Sequence, residues 1–412
     1  MSHLVPWCAC LSLACAGCHR DAPLAFRLFS APTGPRHVDA KSKDPSDIYL
    51  AIGHEALAAL PEPQSTTYTP GYRDSMRRKS AGLIDRLIAA SSKPVVVAPR
   101  PRPMDDSMEI EAGWLRLAHA IAWTIEADIN GGKTKSAIQL VIVAHRFGFD
   151  LTHGDIGQAQ AGLTIADLAR GAIAPHLSKF GSGDLKALAD GMTQVVPRLA
   201  SAEITLDAEK PDQLATMQAI QDAYIDKKAL ERFEKRAYND TRDAWSYLRR
   251  MSEDERPKYF DQFAAEVDEN MRFGLSEARK TQAERDPEVA DWLKAKTKTK
   301  YRPWKRLMPH YFSAWQPYLD QRDLTLARTR LLGLTCLVVK GIKDTGAAPD
   351  VMSCAPESLR IDPFSGKDFG YARASSDFKL YSVGADGRDD GGSSDGSGTT
   401  PDVQLSGLNS GL

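Results

Sequence analysis

The residues with the most legible chemistry lie near the C-terminus. Asp386, Asp389, Asp390, Asp395 and Asp402 crowd one short glycine-rich stretch, opposed by a single cation, Arg388. Carboxylates packed this closely repel one another unless solvent or a bound cation screens them. Calcium takes about six to eight oxygens in flexible geometry, backbone carbonyls included. Gly384, Gly387, Gly391 and Gly392 leave the backbone free to turn carbonyls inward. The stretch is therefore a candidate site for a hard cation, and a solvated turn without an ion is the plain alternative. It is not an EF-hand. Counting from Asp386, Arg388 falls at the third position and Ser397 at the twelfth, where a bidentate Glu belongs.

Cysteine is the other reactive type. Cys336 and Cys354 stand apart from the rest, and a disulfide between them would close a loop of about 18 residues, worth ~3 kcal/mol in the chain-entropy model. Cys336 also sits in an apolar helical pattern, where a thiol serves equally as core. Cys8, Cys10, Cys15 and Cys18 crowd the N-terminus among Leu, Ala and Gly. Zinc sites use similar spacings but require a positioned second pair. The apolar setting suits the hydrophobic core of a signal peptide better. Other chemistry is missing from the pattern. Asn130-Gly131-Gly132-Lys133 imitates the end of a phosphate loop, but Ala127 stands where that motif needs Gly. No His-Glu-x-x-His occurs, and no Gly-x-Ser-x-Gly forms a nucleophile elbow between a strand and a helix. Asp105-Asp106 and Asp389-Asp390 read as cap and loop rather than acid–base pairs.

Helices dominate the elements that must carry these groups. Asp44-Pro45-Ser46-Asp47 signals a helix start before Ile48, Ile52, Ala56 and Leu60, and a second helix is predicted over 72–90. Ile110, Trp114, Leu117, Ile121 and Ile125 recur at helical spacing, with Asp105 or Asp106 as cap and Asn130-Gly131-Gly132 as stop. Helices over 136–149, 156–177 and 184–199 follow, and short connections predict two stacked helical hairpins, 106–149 and 156–199. Residues 211–252 are highly charged and helical in pattern, with opposite charges at neighbouring positions. The aromatic cluster Trp304, Tyr311, Phe312, Trp315 and Tyr318 reads as core. A last helix, 324–342, is stopped by Gly346 and Pro349. The period then changes to two: Phe369 and Tyr371, then Phe378, Leu380 and Ser382, form a hairpin whose apolar face needs that helix. The fold class is mainly α, a helical-hairpin array or bundle followed by a small α+β module of helix plus β-hairpin. The expected divisions are a signal segment 1–18, a tether 19–43, a helical domain 44–320 (or 44–205 and 206–320), the module 324–405 and a frayed tail 406–412.

With 53 basic and 54 acidic residues the chain has net charge −1, so no basic face favours nucleic acid as a partner. No run of about 20 apolar residues would span a bilayer.

Two resemblances sharpen these readings. Cys15-Ala16-Gly17-Cys18 resembles a bacterial lipobox, which implies lipidation at Cys18 and attachment to the periplasmic side of an envelope membrane. Cys15 departs from the usual Leu, and the preceding segment lacks Lys and Arg. The order Asp362-Pro363, aromatic strand, Tyr381-Ser382-Val383-Gly384-Ala385-Asp386-Gly387 and a late Asp402-Val403 resembles the C-terminal part of the major pseudopilin of type II secretion. That resemblance covers about a fifth of the chain. It implies calcium held by Asp386, by the backbone carbonyls of Val383 and Arg388, and by Asp402. Asp389, Asp390 and Asp395 belong to a longer loop and have no assigned counterpart. The pseudopilin's prepilin cleavage site and long apolar first helix are missing, so a filament subunit is not implied. The chain resembles instead large bacterial envelope proteins with this terminal module. The leading expectation is a non-enzymatic, lipid-anchored envelope protein that offers a scaffold to another envelope protein. The alternatives are an accessory part of a type II secretion or pilus-like system, and an enzyme whose active site lies among the helices.

Overall fold

The computed structural model describes residues 44–61, 69–97, 109–211, 213, 250–252, 254–285, 315–374, 377–392 and 402–405. The N-terminal cysteines with Cys18, the tether, the caps Asp105 and Asp106, most of the charged stretch 211–252, the aromatics before Trp315, Asp395 and the tail 406–412 lie outside them. The protein is mainly helical, with one two-stranded antiparallel sheet near its C-terminal end. Among the described residues no helix is long and apolar enough to cross a membrane.

Helix α1 (Pro45–Ala59) starts where Asp44 predicts. The Asp44 carboxylate accepts the Ser46 N–H at 2.9 Å, and Pro45 fills the position whose N–H has no helical partner. Thr69 and Pro70 repeat the device for α2 (Pro70–Ala90). The turn Asn130-Gly131-Gly132, with Gly132 at φ 73°, joins α3 (Glu109–Asn130) to α4 (Thr134–Leu151). Asp155 and Gln158 form a reciprocal capping box at the start of α5 (Ile156–Ile173). A 3₁₀ segment, Ala174–Lys179, leads to α6 (Ser182–Val195), and the 3₁₀ turn Val196–Arg198 closes it.

Two helix crossings bring backbone onto backbone. At the α1–α3 crossing, a Cβ on Gly113 would lie 1.9 Å from the Gly53 carbonyl oxygen. At the α4–α5 crossing, a Cβ on Gly162 would lie 2.1 Å from the Gly148 carbonyl oxygen. Glycine is the only residue that allows these approaches, and the large side chains Trp114 and Phe147 fill the space beside them with Tyr49.

The second expected hairpin is not a pair. Helix α6 packs on α4 and on a later helix rather than on α5. The intervening 3₁₀ segment, with Pro175 in its first turn, is long enough to carry α6 away. The space beside α5 is taken by α8 (Trp315–Thr345), which follows α7 (Arg256–Ala278) and packs along both α5 and α6. Leu331, Leu334, Val338 and Val339 of α8 are fully buried. The architecture is thus a bundle built around α8 and not a linear stack of hairpins. Because α8 runs through residues 320–324, the C-terminal module shares one continuous hydrophobic core with the helices. Trp315 and Tyr318, the described members of the aromatic cluster, are core. Trp315 donates to Asn270 of α7 at 3.2 Å.

Candidate functional site

The C-terminal module begins where Gly346, at φ 76°, ends α8. Two single-turn helices, α9 (Val351–Cys354) and α10 (Glu357–Arg360), return the chain along α8. Strands β1 (Gly370–Ala374) and β2 (Asp377–Tyr381) then pair antiparallel, with Gly370 opposite Tyr381 and Tyr371 opposite Leu380. Phe364, Phe369 and Leu380 join the core. Tyr381 covers the space that a side chain at Gly370 would need.

The module is organised by a residue that motif reading passes over as part of a signature. Asp362 is fully buried. One carboxylate oxygen accepts the Phe364 N–H at 3.0 Å and the Ser382 hydroxyl at 2.8 Å; the other accepts the Val383 N–H at 3.1 Å. A single side chain thereby ties the turn after α10 to the end of β2. Burial pushes its pKa up even though these donors act the other way. Arg330 of α8 donates to the Ile361 carbonyl at 2.5 Å and fastens this turn to the bundle. The Asx-turn character of Asp-Pro-Phe-Ser-Gly was the available signal.

Beyond β2, Ser382 and Val403 exchange both backbone hydrogen bonds, so the two ends of the acidic loop meet. Gly384 and Gly387 adopt φ 70° and 66°. Asp386, exposed, accepts the N–H of Arg388 at 3.0 Å and so closes its own small turn. Asp389 accepts the Gly391 N–H at 2.9 Å and the Tyr381 hydroxyl at 2.8 Å. Asp402 is only 4% exposed. One of its oxygens accepts the Gly392 N–H at 2.6 Å, while the other is buried without a hydrogen-bond partner. Gln404 donates to the Gly392 carbonyl. Burial raises the Asp402 pKa and the Asp390 and Asp389 charges add to it, against the backbone N–H groups of Gly392 and Asp390, which lower it. The Tyr381 hydroxyl is pushed up to about 12 by burial and by Asp389.

Of the loop's described aspartates the structure therefore buries Asp402 alone, brings the exposed Asp389 to the Tyr381 hydroxyl, and leaves Asp386, Arg388 and Asp390 exposed. Val383 is half-buried, with its N–H committed to Asp362. Among the described residues, no three carboxylate, imidazole or thiolate groups stand close enough together to hold a metal ion. The donor set fits calcium in part: one buried carboxylate oxygen without a hydrogen-bond partner lies near two exposed carboxylates, while the Lys379 side chain packs over Gly392.

Cys336 and Cys354, a candidate disulfide with core packing as the alternative, are both free thiols. Cys336 is sealed inside α8, where burial pushes its thiol pKa up, and Cys354 is exposed on α9 with its thiol toward the Asp350 and Val351 carbonyls. The apolar pattern around Cys336 reflects core packing.

Buried charges elsewhere cross-link helices. Asp150 on α4 accepts the Tyr49 hydroxyl of α1 at 2.9 Å and lies 3.1 Å from the Arg198 guanidinium. Burial raises its pKa to about 6, against the opposing effects of Arg198, the Tyr49 and Val95 hydrogen bonds and Arg146. Asp323 on α8 pairs with Arg285 at 2.6 Å and with Arg322 at 3.0 Å. His145 is fully buried; its Nδ1 bonds the Val141 carbonyl at 2.8 Å and its Nε2 has no partner.

No protein-family model, curated protein or solved structure matches the chain.

Proposed function

We propose that the protein is a non-enzymatic, lipid-anchored bacterial envelope protein whose helical bundle serves as a scaffold for another envelope protein, and whose C-terminal module is fastened by calcium. The observation that carries the reading is the buried, unpartnered oxygen of Asp402 beside Asp389 and Asp390. The buried Asp402 carboxylate feels the charges of Asp389 and Asp390, which lie exposed at the mouth of the loop, and a hard cation would reverse the sign of that interaction. Asp402, Asp389 and Asp390 would hold the ion, with backbone carbonyls completing its shell. This ligand set differs from the one the pseudopilin resemblance implies, because Asp386 turns toward its own backbone. Millimolar calcium is an extracytoplasmic condition, consistent with the lipobox-like Cys18. The buried ion pairs Asp150–Arg198 and Asp323–Arg285 support a structural rather than catalytic use of charge, since each joins separate elements of the bundle.

Mass spectrometry of the mature protein from its native envelope tests the anchoring. The proposal expects an N-terminus at a lipid-modified Cys18, and an intact Met1 or Ser2 contradicts it. Affinity capture from the solubilised envelope addresses the accessory-component reading, which the terminal residue pattern favours: enrichment of secretion-system components supports it over a general scaffold.

A further inference from the structure

A cleft of about 500 Å³ opens between α2 and the α3–α4 hairpin. Its volume is in the range of small-molecule sites, and it opens to solvent along Arg78, Ala81 and Asp85. Ala81, Ile84, Ile88 and Leu140 give it an apolar strip. Charges of both signs flank the strip. Arg77 pairs with Asp74 at 3.0 Å but keeps its Nε without a hydrogen-bond partner, so the Arg77 and Arg78 guanidinium groups stand on one side of the balance and the Asp85 and Asp128 carboxylates on the other. Asp128 is 8% exposed and is held in place by the Ser136 hydroxyl at 2.6 Å, so one of these carboxylates is fixed before any ligand arrives.

We propose that this cleft binds a small zwitterion, an amino acid or dipeptide with an apolar side chain. An anion alone would meet two carboxylates, and a cation alone would meet Arg78. A ligand with an ammonium and a carboxylate satisfies both, and its apolar side chain covers the Ile84–Ile88–Leu140 strip. Charge-assisted hydrogen bonds supply the selectivity, because a capped ligand leaves one protein charge unanswered. The site is independent of the acidic loop and of the anchoring proposed above.

Calorimetry of the full chain with leucyl-leucine tests this. The free dipeptide should bind saturably, and its N-acetyl and C-amide forms at least about tenfold more weakly. Arg78→Gln should weaken the free dipeptide about tenfold and leave the C-amide form unaffected. Asp85→Asn should weaken the free dipeptide similarly and leave the N-acetyl form unaffected. Both positions are exposed on α2, so neither variant threatens the fold, which circular dichroism verifies. No saturable heat up to the solubility limit, equal binding of the capped forms, or unchanged binding by both variants overturns the proposal.

Discussion

The α4–α5 crossing permits a test in which one substitution has opposite effects at two places on the same helix. Gly162 and Gly171 both lie in α5. A methyl group at Gly162 would stand 2.1 Å from the Gly148 carbonyl oxygen, a contact with backbone that no rotamer change relieves. The axes must separate by about 1 Å, which unpacks the interlocked side chains around Phe147 and Ile165. Overpacking of this kind costs ~1–3 kcal/mol, and the rigid opponent puts Gly162→Ala near the upper end. The better helix propensity of Ala returns about 1 kcal/mol, so the expected net loss is ~2 kcal/mol. At Gly171 a methyl group meets nothing within 4 Å, so Gly171→Ala should stabilise by ~0.5–1 kcal/mol through propensity alone. Urea denaturation followed by far-UV circular dichroism measures both. The double variant Gly148→Ala/Gly162→Ala should cost less than the sum of its parts, because the first methyl already parts the helices. A Gly162→Ala protein as stable as the parent, or a Gly171→Ala protein as weakened as Gly162→Ala, would refute the close-approach argument.

Two buried titrations oppose each other. Burial lowers the His145 pKa to about 4, with Asp167 and Arg170 acting in opposite directions, so its contribution is complete above about pH 6.5 and is lost as pH falls toward 4. Asp150, raised to about 6, works the other way: the folded state holds its proton more tightly, so stability is gained as pH falls from 6 toward 4. Each amounts to about 3 kcal/mol at most, and the two largely offset one another over this window. Asp150→Asn should expose a steep acid loss in urea titrations at stepped pH, whereas an unchanged slope contradicts the assignment. Asp362→Ala leaves the Phe364 N–H, the Ser382 hydroxyl and the Val383 N–H without their acceptor. A loss of ~3 kcal/mol confined to the module is expected, read as faster hydrogen exchange over 369–384 with α4 and α5 unchanged. Under native conditions Cys354 should react with a thiol reagent while Cys336 reacts only after unfolding; protection of both would indicate a disulfide.

Local signals were legible in the sequence wherever one element specifies itself. Asp44-Pro45 and Asn130-Gly131-Gly132 mark helix ends by their own hydrogen-bonding and backbone chemistry, whereas the Thr69-Pro70 start of α2, two residues before the expected 72, emerged only in the structure. The alternation from Phe369 to Ser382 similarly gave the hairpin. Partnership was not legible. That α6 packs on α8 rather than α5 depends on residues far apart in the chain, and an apolar helix face does not name its partner. Nor does a motif show which of five aspartates will be buried. Asp402 is drawn inward because Val403 pairs with Ser382, a contact across the loop, while Asp386 satisfies itself two residues away. Asp362 was visible as part of a pattern, but its position at the centre of the module required the fold.

Calorimetric titration of the full chain with calcium at neutral pH, beside the Asp402→Asn variant, tests the proposed clamp most directly. The account predicts one ion bound per chain, a rise in thermal stability of the C-terminal module on binding, and loss of both in Asp402→Asn. It also predicts that Asp386→Asn keeps most of the affinity. No heat and no stabilisation at millimolar calcium would contradict it, as would a site that survives Asp402→Asn and disappears with Asp386→Asn.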